Sequence, residues 1–462
     1  MNNNAIFYNH PKQGFNGDFI PFFHEGVFHL YMIIDGSWEH LTTTDFVNFT
    51  NHGVALPKGN EEEQDLSVCT GSVFYHNNIF HIFYAGYNGF YLGKKPIQVV
   101  LHATSTDLYN WKKEKDIFLP PDESIYHRDG WRDPFVYYDK TNDLFKMIIT
   151  GEKNHHHNRR WGATALATSK DLINWTIKEP IYAPFLYDTH ECPDLFELNG
   201  RYYMIFSTYT RWWEVHYRVS HSIDGPWKSY KDEILDNRSY YAAKTVYGNG
   251  KRYLVGWAAR RTDNLDKNKY EWGGSLCVHE IEALPNGELI CKPVSTIVDA
   301  YTKILETRKQ NGFGNIVSRK TKNGYSLDSD GFGCIKIAKT KSSSLYISFD
   351  VKVKDNMTAG ILLRANINKF DKWVMIELDR KKDRLFFDLS SKWFEDQFFD
   401  EERPLDKTSN YHVEIITKDS MIVTYCNGKA LTARCYELMD GEIGLFSRDG
   451  KAVFNNITIK EL

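Results

Sequence analysis

Thr43-Thr44-Asp45-Phe46-Val47-Asn48-Phe49 recurs as Ser105-Thr106-Asp107-Leu108-Tyr109-Asn110-Trp111 and as Ser169-Lys170-Asp171-Leu172-Ile173-Asn174-Trp175, with a looser copy at Ser222-Ile223-Asp224-Gly225-Pro226-Trp227. The aspartates lie 62, 64 and 53 residues apart, room for about four short strands each, which is the period of a propeller blade. A second repeat keeps step with the first. Alternating aromatic strands follow a Gly or Asn/Asp turn at Val27-Phe28-His29-Leu30-Tyr31, Ile79-Phe80-His81-Ile82-Phe83-Tyr84, Leu144-Phe145-Lys146-Met147-Ile148, Arg201-Tyr202-Tyr203-Met204-Ile205-Phe206 and Lys251-Arg252-Tyr253-Leu254-Val255. Period-two alternation with β-branched and aromatic enrichment makes these strands, and five copies predict five blades.

The repeats stop near residue 295. The expected organisation is all-β: a five-bladed β-propeller over residues 1–297, a short connecting segment at 298–310 with helical character, and a C-terminal β-sandwich over 311–462. In the sandwich, strands are expected at 344–351 and 412–416, with turns at Cys426-Asn427-Gly428-Lys429 and Arg448-Asp449-Gly450-Lys451. Trp373 and Trp393-Phe394 are expected as core residues of that half.

Composition narrows the function. Of 462 residues 15% are aromatic, which suits strands and sugar-stacking surfaces alike. Lys plus Arg total 57 against 60 Asp plus Glu, so no broad basic field exists to bind nucleic acid. No apolar run is long enough to span a bilayer, and Met1-Asn2-Asn3-Asn4 does not open an export signal, so a cytoplasmic protein without a membrane partner is expected. Seven scattered cysteines with no C-x-x-C pair fit free thiols in a reducing compartment. His155-His156-His157 beside Arg159 and Arg160 reads as a solvated loop; no metal and no cofactor is expected.

A propeller gathers the innermost strand of every blade around one axial funnel, so its chemistry is sought blade by blade. Three acids stand out in apolar or Gly/Pro-marked contexts, each before one blade's aromatic strand: Asp18 in Gly17-Asp18-Phe19-Ile20-Pro21, Asp133 in Trp131-Arg132-Asp133-Pro134, and Glu191 in Glu191-Cys192-Pro193-Asp194. Two carboxyl groups are the minimum equipment for glycoside hydrolysis, one protonated to assist the departing oxygen and one ionised to attack the anomeric carbon or activate water. Arg132 is placed to hold one of them ionised. Trp38, in Ser37-Trp38-Glu39-His40, is a candidate for sugar stacking, and one of Trp212 and Trp213 for the pocket mouth.

The sequence resembles glycoside hydrolase family 32, the β-fructofuranosidases, invertases, inulinases and levanases. Arg132-Asp133-Pro134 is similar to that family's Arg-Asp-Pro motif, Glu191-Cys192-Pro193 to its Glu-Cys-Pro motif, and Thr70-Gly71-Ser72 to its Ser-Gly-Ser loop; Trp257 with Trp272-Gly273-Gly274 resembles the fifth-blade segment. The resemblance implies a retaining mechanism with Asp18 as nucleophile, Glu191 as acid and base, and Asp133 as transition-state stabiliser. It implies substrate contacts from Arg132, Thr70, Ser72 and Trp257, and no metal or cofactor. The stretch around Asp18 departs from the family's Asn-Asp-Pro-Asn-Gly, and Gly17 is expected to leave space beside the acid. The implied substrates are sucrose, sucrose 6-phosphate or short fructo-oligosaccharides. An inverting arabinosidase or xylosidase and a non-catalytic sugar-binding protein are the alternatives. A phosphorylated sugar would require basic donors at the rim, for which Lys94-Lys95, Arg159-Arg160, Arg211 and Arg260-Arg261 are candidates. The small carbohydrate is the expected partner, with homodimerisation through the sandwich left open.

Overall fold

The computed structural model describes residues 6–9, 16–154, 160–389 and 401–462; the histidine run with Arg159, and Trp393-Phe394, lie outside these. The chain forms a five-bladed β-propeller and a C-terminal β-sandwich-like sheet. Contact density divides it into Met1–Ala259 with Trp272–Leu289, and Arg260–Glu271 with Ile290–Leu462. Among the described residues no helix is long and apolar enough to cross a membrane.

Blade 1 is built from Asn16–His24, Val27–Ile34, Ser37–Thr43 and Thr50–Leu56 in that order, and blades 2, 3 and 5 repeat the four-stranded antiparallel plan. Their first strands are Ser67–His76, Arg132–Asp139 and Tyr240–Gly248, and that of blade 4 is Glu191–Leu198. Each first strand touches the first strand of the next blade, and Asn16–His24 against Tyr240–Gly248 closes the ring. The Asn16 side chain ties that closure by donating to the Gly274 carbonyl at 2.9 Å. The aromatic strands quoted above are the second strand of each blade. Their alternate side chains fill clusters such as Tyr31, Ile33, Ile82 and Tyr84.

The repeated Asp motif is the turn between third and fourth strands. Asp107 Oδ1 accepts from the backbone N–H of Tyr109 and Asn110, both at 2.8 Å, while Ser105 Oγ accepts from Asp107 N and Leu108 N. The same pattern recurs around Asp45 and Asp171. The Trp111 and Trp175 indoles then cap the turn by donating to the Leu108 and Leu172 carbonyls. In the fourth copy the residue two places after Asp224 is Pro226, which has no N–H to donate. Asp224 turns instead to Lys146 at 2.5 Å, and the sheet of blade 4 has three strands.

The C-terminal unit is one continuous twelve-stranded sheet whose long strands Gly324–Thr340 and Gly441–Glu461 pair with each other around a core of Ile347, Phe349, Ile361, Ile415 and Leu445. Asn427-Gly428 forms the expected two-residue hairpin turn, with both residues at positive φ. Arg448-Asp449-Gly450-Lys451 is not a turn. It lies within Gly441–Glu461, where Asp449 and Gly450 kink the strand at a register shift opposite Ser329–Phe332 and pairing resumes on both sides.

The segment expected as a connection is also built in. A helix at Ser295–Asp299 runs into its start, Lys303–Ile304 pairs with Lys460–Glu461, and Arg308 N donates to the Ile337 carbonyl. Leu289–Lys292 is the fourth strand of blade 5, while by contact density Ile290 onward groups with the second unit, where Cys291 N bonds the Gly428 carbonyl.

Candidate active site

The first strand of every blade carries the same defect. Between Gly17 and Ile20, Val68 and Gly71, Arg132 and Phe135, Glu191 and Asp194, and Tyr241 and Lys244, two residues face one on the neighbouring strand. These are β-bulges, which bend a strand and re-aim its side chains. The first bulged residue is at positive φ in four blades, at Asp18 (45°), Asp133 (56°), Cys192 (50°) and Ala242 (52°). Non-glycine residues held there store strain of order 1–3 kcal/mol, and such strain gathers at functional sites.

The bulges open onto a cavity of about 530 Å³, within the size range of small-molecule sites. Asp18, Asp133, Glu191, Arg132, Thr70 and Cys69 line it together with Asp35, Tyr209, Trp213, Tyr241 and Trp272. The three candidate acids therefore meet, although not at one register: Asp18 and Asp133 occupy the bulge, and Glu191 stands one residue before it.

Each acid is held differently. Asp18 Oδ2 accepts from Thr70 Oγ1 at 2.5 Å and Oδ1 from the Trp257 indole at 2.9 Å. Burial nonetheless pushes its carboxyl up to about 7, with Asp133 and Glu191 adding to the rise against the two hydrogen bonds. Glu191 Oε1 accepts from Arg132 Nη2 at 2.7 Å and Oε2 from the Tyr241 hydroxyl at 2.6 Å. Arg132 and Tyr241 sit at the position equivalent to Glu191 in the two flanking blades, so one register of three blades forms a clamp. Burial opposes the Arg132 charge, but Glu191 and Asp133 outweigh it and raise the guanidinium above its usual range. Asp133 is buried, and its contacts with Cys192 N at 2.9 Å, Thr150 Oγ1 at 3.2 Å and the Arg132 guanidinium at 4.0 Å all fall on Oδ2.

The other expected residues divide. Thr70 and Trp257 both reach Asp18, and Trp257 does so from full burial. Trp38 is buried in the core with its indole donating to the Cys69 carbonyl, so it offers no ring face to a sugar. Ser72 is likewise buried, and its hydroxyl accepts from Val136 N in the next blade. Both are absent from the lining because they lie on first-blade and second-blade faces that pack between blades. The space expected beside Gly17 is taken, since a Cβ there would stand 3.1 Å from the Trp272 ring. Tyr241, Tyr209 and Asp35 were not anticipated. Tyr241 carried a signal: it lies nine residues before Gly250, as Glu191 does before Gly200 and Gly17 before Gly26.

A closed ring of five blades with three carboxyl groups converging at its axis is the class of protein that fold and site define. The chain belongs to glycosyl hydrolases family 32: the model of that family's N-terminal domain matches residues 8–293, and that of its C-terminal domain matches residues 302–461. It is 27% identical over 275 residues to a sucrose-6-phosphate hydrolase of Vibrio alginolyticus, covering 56% of this chain and 54% of that protein. A sucrose-6-phosphate hydrolase of Escherichia coli is 26% identical over a similar span, so the match extends over about half the length of these curated relatives. A sucrose-6-phosphate hydrolase of Zymomonas mobilis is 21% identical over 91% of this chain and 82% of its own length. Among solved structures, an exo-inulinase from Aspergillus awamori superposes with a TM-score of 0.75 at 17% identity, covering 100% of this chain and 98% of that one. Fructan 1-exohydrolase IIa from Cichorium intybus gives 0.73 at 16% identity, covering 98% and 97%.

Proposed function

We propose that the protein is a retaining glycoside hydrolase that releases a terminal β-fructofuranosyl unit from sucrose, its phosphate or a short fructo-oligosaccharide. The observation that carries this reading is the opposed pair: Asp18, fixed through both oxygens by Thr70 and Trp257, and Glu191, fixed through both oxygens by Arg132 and Tyr241. In the first step Asp18 attacks the anomeric carbon while Glu191 gives its proton to the departing oxygen, forming a fructosyl ester and a free leaving sugar. In the second, Glu191 takes a proton from water, the hydroxide displaces Asp18, and fructose leaves with its configuration retained. Asp133, with its contacts gathered on Oδ2, keeps Oδ1 for hydroxyls of the fructosyl ring as positive charge develops there.

Burial holds the Asp18 carboxyl up at about 7. Catalysis needs Asp18 ionised to attack and a proton on Glu191 to give to the departing oxygen. The seven free cysteines support a reducing compartment, the cytoplasm. NMR of the first product anomer from sucrose tests the reading. β-Fructofuranose appearing first, with a trapped ester on Asp18, is the expected result; the inverted anomer or an ester elsewhere would overturn it.

A further inference from the structure

Blade 5 carries no acid at its bulge: Ala242 stands at the position that Asp18 and Asp133 fill in blades 1 and 3. Its neighbours in the ring are blade 4, which carries Glu191, and blade 1, which carries Asp18. It reaches both. Tyr241, on its first strand, donates to Glu191 Oε2 at 2.6 Å, and Trp257, on its second strand, donates to Asp18 Oδ1 at 2.9 Å. These two residues stand directly opposite one another in the antiparallel pair, at the last position before the bulge, and their rings lie 5.5 Å apart at 60°. One cross-strand pair therefore holds a carboxyl of each neighbouring blade. The other oxygens of the two acids are held from two different blades, by Thr70 and Arg132.

The pair has little room to move. Trp257 is fully buried and Tyr241 nearly so. The Trp213 ring packs on both, 5.6 Å from Tyr241 and 5.4 Å from Trp257, and the Trp272 ring stands 6.1 Å from Trp257. A Cβ on Gly256, the residue before Trp257, would stand 2.9 Å from the Tyr241 carbonyl, so glycine is what lets the two strands approach this closely beside the pair. The spacing matters to the chemistry. A retaining glycosidase needs its two carboxyl groups about 5 Å apart, and a wider gap admits the water that leads to inversion.

We infer, on the fructosidase reading above, that the Tyr241–Trp257 pair is a positioning device that fixes the gap between Asp18 and Glu191: with two rings in contact at its centre and one carboxyl bonded at each end, neither acid shifts without the other. Such a gauge works only while both ends are attached. The first test compares kcat on sucrose in wild type, Tyr241→Phe, Trp257→Phe and the double variant, all of which keep an aromatic ring at both positions. Each single replacement frees one acid and should lower kcat by about thirtyfold, while the double should be no more than about threefold slower than the worse single, because the gap is already lost. Losses that multiply to about a thousandfold would overturn the inference. The second test reads the ring contact. Tyr241→Leu removes the ring beside Trp257 and lets water toward Asp18, so the rise of kcat/KM with pH should move from about 7 to about one unit lower, whereas Tyr241→Phe leaves it in place. The acidic, basic and thiol groups of the lining, Asp35, Cys69, Arg132, Asp133, Glu191 and Cys192, belong to blades 1 to 4 and are unchanged in both variants. A rise unmoved in Tyr241→Leu, or moved as far in Tyr241→Phe, would overturn the inference, and the cycle of Phe variants decides by itself if Tyr241→Leu does not fold. Wild type silent on fructosides would speak against the fructosidase reading instead. Denaturation at pH 8 then decides the inference: the stability gained by Asp18→Asn should shrink by about a third in Tyr241→Leu and persist in Tyr241→Phe, and an equal gain in both overturns it.

Discussion

Two sets of aspartates repeat around the propeller, and the fold treats their charge in opposite ways. In the outer turns, hydrogen bonds from Asn110 and Tyr109 outweigh partial burial and bring Asp107 down to about 2; Asp45 is lowered by the same kind of turn. In the funnel, burial outweighs two hydrogen bonds and brings Asp18 up to about 7. An acid that recurs in three blades with its own turn donors is architecture. An acid whose equivalents in three other blades are Cys69, Cys192 and Ala242, with Asp133 alone also acidic, has been placed for chemistry.

The sharpest way to break this comparison is to neutralise both kinds of acid. Asp18→Asn and Glu191→Gln should each lower kcat on a fructoside by a factor of about 10³ or more while circular dichroism and solubility stay native, because shape is kept and only a charge or a proton is removed. Retention of near-normal turnover by either variant would remove that residue from the mechanism. For wild type, kcat/KM should rise with pH through about 7, where the Asp18 carboxyl ionises and becomes able to attack. A profile flat from pH 5 to pH 8 would contradict a raised nucleophile.

A smaller effect separates the two sets by stability. The carboxyl of Asp18 is raised in the folded protein, so its contribution to stability is full below about pH 4 and is lost as pH rises through about 7. Asp18→Asn has no proton to lose. It should therefore be more stable than wild type at pH 8, by on the order of 2 kcal/mol, with the gain shrinking toward pH 4.5. Chemical denaturation at the two pH values measures this. A variant less stable than wild type at pH 8 would show that the funnel does not strain against its own charge.

The blades were legible in the sequence because a strand and a turn repeating at one period leave few other architectures open. The acids were legible because they interrupt that repeat beside Gly and Pro. The bulges were not, since a bulge depends on how one strand registers against its neighbour and no local composition marks it. Tyr241 and Tyr209 were hidden by abundance: in a chain this rich in aromatics, a tyrosine at the start of a strand reads as core. Trp38 misled for the converse reason, since its place just after a central strand suggested a sugar contact while its indole had a buried carbonyl to satisfy. The family resemblance pointed to Thr70 and Trp257 as substrate contacts, but their bonds to Asp18 span 52 and 239 residues of sequence, which only the closed ring brings together.

The smallest expected effect lies in the outer turns and completes the contrast. Asp107→Ala removes the acceptor for two backbone N–H groups at a largely exposed turn, where water takes over part of the bonding, so the loss at pH 7 should be only about 1 kcal/mol. Its pH dependence carries the information. The carboxyl of Asp107 is depressed in the folded protein, so the stability it supplies is present above about pH 4 and is lost as pH falls toward 2, the reverse of Asp18. The gap between wild type and Asp107→Ala should therefore narrow from pH 7 to pH 3, while kcat on sucrose at neutral pH stays within about twofold because the turn is remote from the cavity lining. A gap that widens at low pH would mean that the turn aspartates, like the funnel acid, hold their protons, and the division of labour between the two sets would not stand.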